Sequence, residues 1–333
     1  MSQEVKYGFI SDAHEDPGIV MRAVSVLNGL EVNRLVLNGD IGQNRGTPER
    51  TMAAMAFIIE QAAKSGLETF VQPGSHETVG FYQPVIEHFA EKYPNIIDTL
   101  KHRKHEKEGH HLVFLPGSDF VCGGEYQIGD SPNLPTGSYM QINSTPNLII
   151  LNNLAEAQGY INQLGPKDRY ALMNFSNMND LKKEITSPEK TIVICHVPRR
   201  FNLSNAVDMA EFGLVEKDFV LDGENIPKDS IFKIEFAKEL SKRGLPVELR
   251  RENRGNNDLA QLYHEIGVRK AVSGHFHEAS HKAHDVRCNN VPQNTFVNEL
   301  FWNSGHMDKG HCGILTVRGE EVSYQNVDLN DYK

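Results

Sequence analysis

Val5-Lys6-Tyr7-Gly8-Phe9-Ile10-Ser11-Asp12-Ala13-His14 begins apolar and ends on a carboxylate and an imidazole. Its first half suits a short buried strand, and the segments after it set the rhythm of the fold. Residues 17–30 place Ile19, Val20, Ala23, Val24 and Leu27 on one helical face, with Pro17 suited to the first turn. Leu35 to Leu37 is a second strand. Residues 48–65 predict a helix that Thr47 caps, Pro48 and Glu49 open, and Gly66 closes. Thr69 to Val71 is a third strand. Strands alternating with helices in this way imply a parallel sheet.

Further apolar runs lie at Leu112–Leu115, Leu148–Leu151, Thr191–Cys195 and Arg269–Val272. The tail changes character. Thr295–Trp302 and Gly313–Val317 read as strands, and a turn at Arg318-Gly319 leads into Glu321–Val327, so antiparallel structure is expected there. Two stretches lack apolar periodicity: 122–146, with Gly123, Gly124, Pro132, Pro135 and Gly137, and the charged 198–257. The second is read as an insertion or cap on a single domain spanning 1–333.

The 333 residues are 39% hydrophobic and 23% charged, which fits a globular chain with a real core. A net charge of −10 argues against a non-specific nucleic-acid binder, which needs a basic face. Cys122, Cys195, Cys288 and Cys312 are scattered, so no CxxC motif exists and a reducing compartment is suited. There is no apolar signal region at the N-terminus and no run of about 18 apolar residues, the length of a membrane span. A cytoplasmic location is expected.

In an open parallel sheet, ligands gather beyond the carboxyl ends of the strands. The strands here end in Ser11-Asp12-Ala13-His14, Asn38-Gly39-Asp40, Pro73-Gly74-Ser75-His76-Glu77, His196, and Ser273-Gly274-His275-Phe276-His277. All five ends carry Asp or His. Carboxylates and imidazoles on one rim suit divalent transition metals. Two ions sharing one carboxylate fit the number of donors better than one. A pair of ions about 3.5–4 Å apart can activate water and clamp an in-line phosphoryl displacement.

These blocks, Asp12-Ala13-His14, Gly39-Asp40, Gly74-Ser75-His76-Glu77, His196 and Gly274-His275-Phe276-His277, resemble the ordered motif series of the calcineurin-like metallophosphoesterase superfamily. The series spans residues 12–277. The resemblance implies a four-layer α/β/β/α sandwich. It implies that Asp12, His14 and His277 hold a first metal, that Asp40 bridges, and that His196 and His275 hold a second with help from Ser75. It further implies attack on phosphorus by a hydroxide between the metals, with His76 binding phosphate or protonating the leaving oxygen. Glu77 would orient His76. Manganese is the first choice of metal, and the same ligand types accept Fe, Zn or Ni. The family has Asn where this chain has Ser75, whose hydroxyl is shorter and a poorer donor, so a weaker second position is expected.

Taken one at a time, the same residues have plainer readings. Asp12 could cap a helix, Gly39-Asp40 could be a turn, and His196 could be a core histidine. The ordered set favours one shared explanation. Arg199, Arg200 and Arg45 are candidates to grip phosphate. His102, His105, His110 and His111 read as a solvated stretch, and His281 and His284 as loop residues. His306 and His311, beside Gly305 and Gly310, belong to a loop that could face the site. Tyr126 and Tyr139 read as local packing. The expected activity is hydrolysis of a phosphodiester or nucleotide-type substrate. A phosphomonoesterase or a catalytically silent scaffold is the alternative. The expected partner is a small phosphorylated substrate, with a nucleotide among the candidates, and no membrane or long nucleic acid is expected.

Overall fold

The computed structural model describes residues 4–43, 47–119, 122, 124–129 and 134–332. Two six-stranded sheets dominate. In the first, the parallel strands β1 (Val5–Ile10), β2 (Arg34–Asn38), β3 (Glu68–Gln72) and β4 (Ile96–Asp98) lie in that order, and the antiparallel hairpin His311–Arg318 and Glu321–Asp328 extends the sheet beyond β1. The second runs Ala283–His284, Leu300–Asn303, Lys270–Ser273, Thr191–Cys195, His110–Leu115 and Lys104–Lys107, with the four central strands parallel.

Alternation of side chains along each strand sorts residues to opposite faces. Ile10, Leu35, Leu37 and Val71 pack with Val20, Leu27, Ile58, Ile59, Tyr82 and Ile86 from helices α1 (Pro17–Gly29), α2 (Pro48–Lys64) and α3 (Val79–Lys92). Tyr7, Phe9, Val36 and Phe70, on the other face, meet Phe114, Ile192, Ile194, Val272 and Trp302 of the second sheet. Val113, Val193 and Ala271 turn outward, onto Leu259, Leu262 and Tyr263 of the helix Asn257–Ile266. Each large side chain so buried contributes about 1.5–3 kcal/mol.

Local chemistry sets the helix starts. Asp16 accepts the Ile19 N–H at 3.0 Å with Pro17 in the first turn, so Asp16, not Asp12, caps α1. Thr47 caps α2 as expected. Helix α3 goes beyond the sequence expectations; its internal Pro84 obscures the pattern. Four short strands, Tyr126–Gly129, Tyr170–Asn177, Gly137–Ile142 and Ile149–Leu151, form a further sheet whose Tyr126, Met140 and Leu172 join the α3 cluster. The expected strand from Thr295 shortens to Leu300–Asn303. Within 198–257, Ile231–Lys233, Met209–Val215 and Val247–Asn253 form a three-stranded sheet beside the helix Ile234–Lys242. Among the described residues, no helix is long and apolar enough to cross a membrane.

Candidate metal centre

The polar strand ends meet at one rim. Their loops are laced together through the backbone: Asp12 N–H donates to the Gly39 carbonyl at 3.0 Å, His14 N–H to the Asp40 carbonyl at 2.9 Å, and Gly274 N–H to the His196 carbonyl at 3.1 Å. Asp12, His14, Asp40 and His275 all adopt left-handed backbone, with φ of 47–66°. Non-glycine residues pay a conformational penalty there, and such residues concentrate at functional sites. Space matters as much as strain. A methyl on Gly39 would lie 2.5 Å from His196 Nδ1, and one on Gly274 would lie 2.7 Å from Asp12 Oδ2.

Among the described residues, four sets of donors converge, each with its atoms within 4.8 Å of one another: Asp12, His14 and His277; Asp40, His196 and His275; His14, Asp40 and His76; and, at the edge of the rim, His277, His306 and the exposed Asp308. Asp40 therefore stands between two trios. Its Oδ1 accepts the backbone N–H groups of Ser75 at 2.5 Å and His76 at 2.8 Å. Its Oδ2 faces His196 Nε2 at 3.0 Å and His14 Nε2 at 3.7 Å, and accepts the Ser75 hydroxyl at 2.9 Å. Asp12 Oδ1 lies 3.3 Å from His277 Nε2 and 3.8 Å from His196 Nε2.

The imidazoles are fixed from behind. His196 Nδ1–H donates to the Asn38 carbonyl at 2.9 Å, which leaves Nε2 directed at the carboxylates. That nitrogen and His275 Nδ1 are buried without a hydrogen-bond partner among the described residues. A buried lone pair facing carboxylates is an arrangement completed by a cation, and the carboxylate–imidazole donor set fits a divalent transition metal.

The charge balance agrees. Burial acts to raise the Asp12 carboxyl, but the His196 and His277 imidazoles outweigh it and bring it to about 2. Asp40 is likewise held well below the usual carboxylate range, against its burial, by His196 and His14. Burial acts to lower His14, yet hydrogen bonds to Asp308 and Asp40 push it up to about 10; His196 rises to about 9 beside Asp40 and Asp12. Protons on these rings occupy the positions that metal ligation claims.

Several expectations need correction. Glu77 does not orient His76. Its buried carboxylate accepts the N–H groups of Asp40 at 3.1 Å, Gly42 at 2.7 Å and Gly74 at 2.6 Å, clamping two rim loops together. His76, half-exposed, instead directs Nδ1 to the Gln43 carbonyl at 3.2 Å and Nε2 toward Asp40. Arg199 stands apart from the rim: its guanidinium lies over the Phe201 and Phe301 rings, 4.1 and 4.7 Å from their centroids. Arg45 lies outside the described residues. His110 is buried against the Tyr7 hydroxyl at 2.7 Å, not solvated. His284 is buried too and accepts the Val207 N–H at 3.1 Å. His306 does reach the rim, stacked on His277 with ring centroids 4.1 Å apart. Asp308 is absent from the sequence expectations, although His306-Met307-Asp308 between two glycines carries two ligand-type residues in one turn.

The fold and the rim together define a layered α/β protein with two carboxylate–imidazole trios at the ends of its parallel strands. No protein-family model and no curated protein matches the chain. Solved structures do. TT1561 of Thermus thermophilus is 9% identical, with 98% of this chain and 100% of that one covered and a TM-score of 0.49. A dimetal phosphatase from Danio rerio is 12% identical, over 98% and 99% of the two chains, with a TM-score of 0.46. The purple acid phosphatase PPD1 of yellow lupin is 10% identical, over 100% of this chain and 53% of that one, with a TM-score of 0.40. At these identities the chemistry must be argued from this chain's own side chains.

Proposed function

We propose that the chain is a metal-dependent phosphoesterase that holds two divalent cations, manganese first among them, and hydrolyses a small phosphodiester or nucleotide-type substrate. One observation carries this reading: the trios Asp12–His14–His277 and Asp40–His196–His275 stand on one rim with the Asp40 carboxylate between them. Asp40 would serve both positions, and the Ser75 hydroxyl, already on Asp40 Oδ2, would lie beside the second. Bound divalent cations supply Lewis-acid polarisation of a phosphoryl oxygen and lower the pKa of coordinated water.

The protein's own groups do the rest. Asp12 and Asp40 place two negative charges where cations gather, and Glu77 ties the Asp40 loop to the Gly74–Glu77 loop. His76, tethered through Nδ1, presents Nε2 toward Asp40 from a half-exposed position, where it can contact phosphate or give a proton to the leaving oxygen. The lean toward a diester rests on the insertion. Its strand Met209–Val215 brings Met209 against Phe276, between His275 and His277, so that a wall stands beside the rim.

The test is turnover of chromogenic phosphodiester and phosphomonoester substrates by the purified protein with Mn²⁺. Diester hydrolysis that a chelator abolishes and Mn²⁺ restores is expected. Preference for the monoester would shift the reading to a phosphomonoesterase. No turnover with any divalent cation would leave a silent scaffold.

A further inference from the structure

We infer that Asp308 is a positioning residue: its carboxylate fixes the ring of His14 by a hydrogen bond and stands as the nearest acid beside Nδ1 of His277. The inference rests on the reading of Asp12, His14 and His277 as a cation position. Asp308 Oδ2 lies 2.9 Å from His14 Nδ1 and 3.9 Å from His277 Nδ1. A neutral imidazole carries one N–H and one lone pair. A carboxylate opposite Nδ1 keeps the proton there and leaves the lone pair on Nε2. The Nε2 atoms are the ones that face the rim: His14 Nε2 toward Asp40 and His277 Nε2 toward Asp12.

The turn that carries Asp308 is locked to the strand that carries Asp12. Met307 is fully buried, and its N–H donates to the Ser11 carbonyl at 3.1 Å, one residue before Asp12. The Ser304 and Ser11 hydroxyls meet at 3.0 Å, and Ser304 N–H donates to the Ser273 carbonyl at 3.0 Å. His311 N–H closes the turn on the His306 carbonyl at 3.1 Å. Asp308 is therefore held in place by contacts that do not depend on the imidazoles it serves. His306 reinforces the arrangement. Its ring stacks on His277 at 13°, with centroids 4.1 Å apart, and so backs the His277 ring.

The experiment is Mn²⁺ titration of cation-free wild type and of Asp308→Ala, Asp308→Asn and Asp308→Glu, alongside the melting temperature of each cation-free protein. Two cations are expected for the wild type. Asp308→Ala should weaken one of them about 10–100-fold and leave the other within about threefold. Asp308→Asn, whose carbonyl still accepts the Nδ1 proton, should fall between, and Asp308→Glu should restore part of the loss. Unchanged affinities in Asp308→Ala would overturn the inference. So would equal weakening of both cations with a lowered melting temperature, the signature of a loosened fold. A wild type that takes up no cation would instead strike down the reading of the trio itself.

Discussion

His14 and His196 are buried, as are His110 and His284 and, in part, His281, yet the two groups sit in opposite electrostatic worlds. The second group meets neutral partners: the Tyr7 hydroxyl for His110, the Cys312 carbonyl for His281, and the Val207 N–H and Asp285 carbonyl for His284. Burial there lowers each imidazole to about 4. Around His14 and His196, burial acts in the same direction but Asp308, Asp40 and Asp12 reverse it. His275, on the same rim, stays lowered to about 4, because burial and the neighbouring His196 outweigh Asp40 and Asp12. Enclosure empties an imidazole of its proton, and the carboxylates at the strand ends hold the two rings that face them most closely ready for a cation.

Removing the carboxylate between the trios should erase the contrast. Asp40→Ala is expected to abolish turnover, a loss of at least about 10³-fold on the scale of a central electrostatic group; steady-state assays with Mn²⁺ decide, and activity within tenfold of wild type would break the comparison. His76→Ala tests whether every rim imidazole is a ligand. It should keep both cations while slowing turnover about 10²–10⁴-fold, and loss of metal by elemental analysis would place His76 among the ligands instead. Ser75→Asn sharpens the second trio. A carbonyl in place of the hydroxyl should tighten the weaker cation by up to about tenfold, or 1.4 kcal/mol, and an unchanged binding isotherm counts against Ser75 as the weak point. The smallest effect belongs to the enclosed group. With folded-state values near 4 and an unfolded value of about 6.5, His110, His281 and His284 take up protons on unfolding. Their contribution is intact above about 6.5 and is lost as pH falls toward 4. Between pH 7 and 6 the loss is below about 1 kcal/mol per group. Because His14 and His196, raised in the cation-free protein, act in the opposite direction over the same range, the readout is the difference in the pH dependence of melting between cation-free wild type and His110→Gln, and a dependence unchanged by the substitution would contradict it.

The five blocks behind the two trios were legible because each is contiguous and follows a buried strand, so residue type and position coincide. Side chains whose partners arrive from elsewhere in the chain were not. Glu77 sits next to His76 in sequence, but two of the N–H groups it accepts belong to Asp40 and Gly42 on another loop. Arg199 follows His196 by three residues, yet the chain bends at His196 and Val197 and lays the guanidinium on Phe201 and Phe301. Asp308 lies 294 residues from His14, and only the packed turn reveals the pair. The strands of the insertion are hidden in the sequence because they offer no clean alternation: along Val247–Asn253 only Val247 is buried.

The bare main chain at Gly39 and Gly274 has an evolutionary consequence. Since even one added methyl would strike an imidazole or a carboxylate there, the spacing of the cradle cannot be adjusted in small steps. On the proposed function, changes in substrate preference are then expected to come from residues 209–253, whose Met209 packs against Phe276 beside the rim. Substitutions along that segment should alter substrate preference while the cradle beneath stays the same.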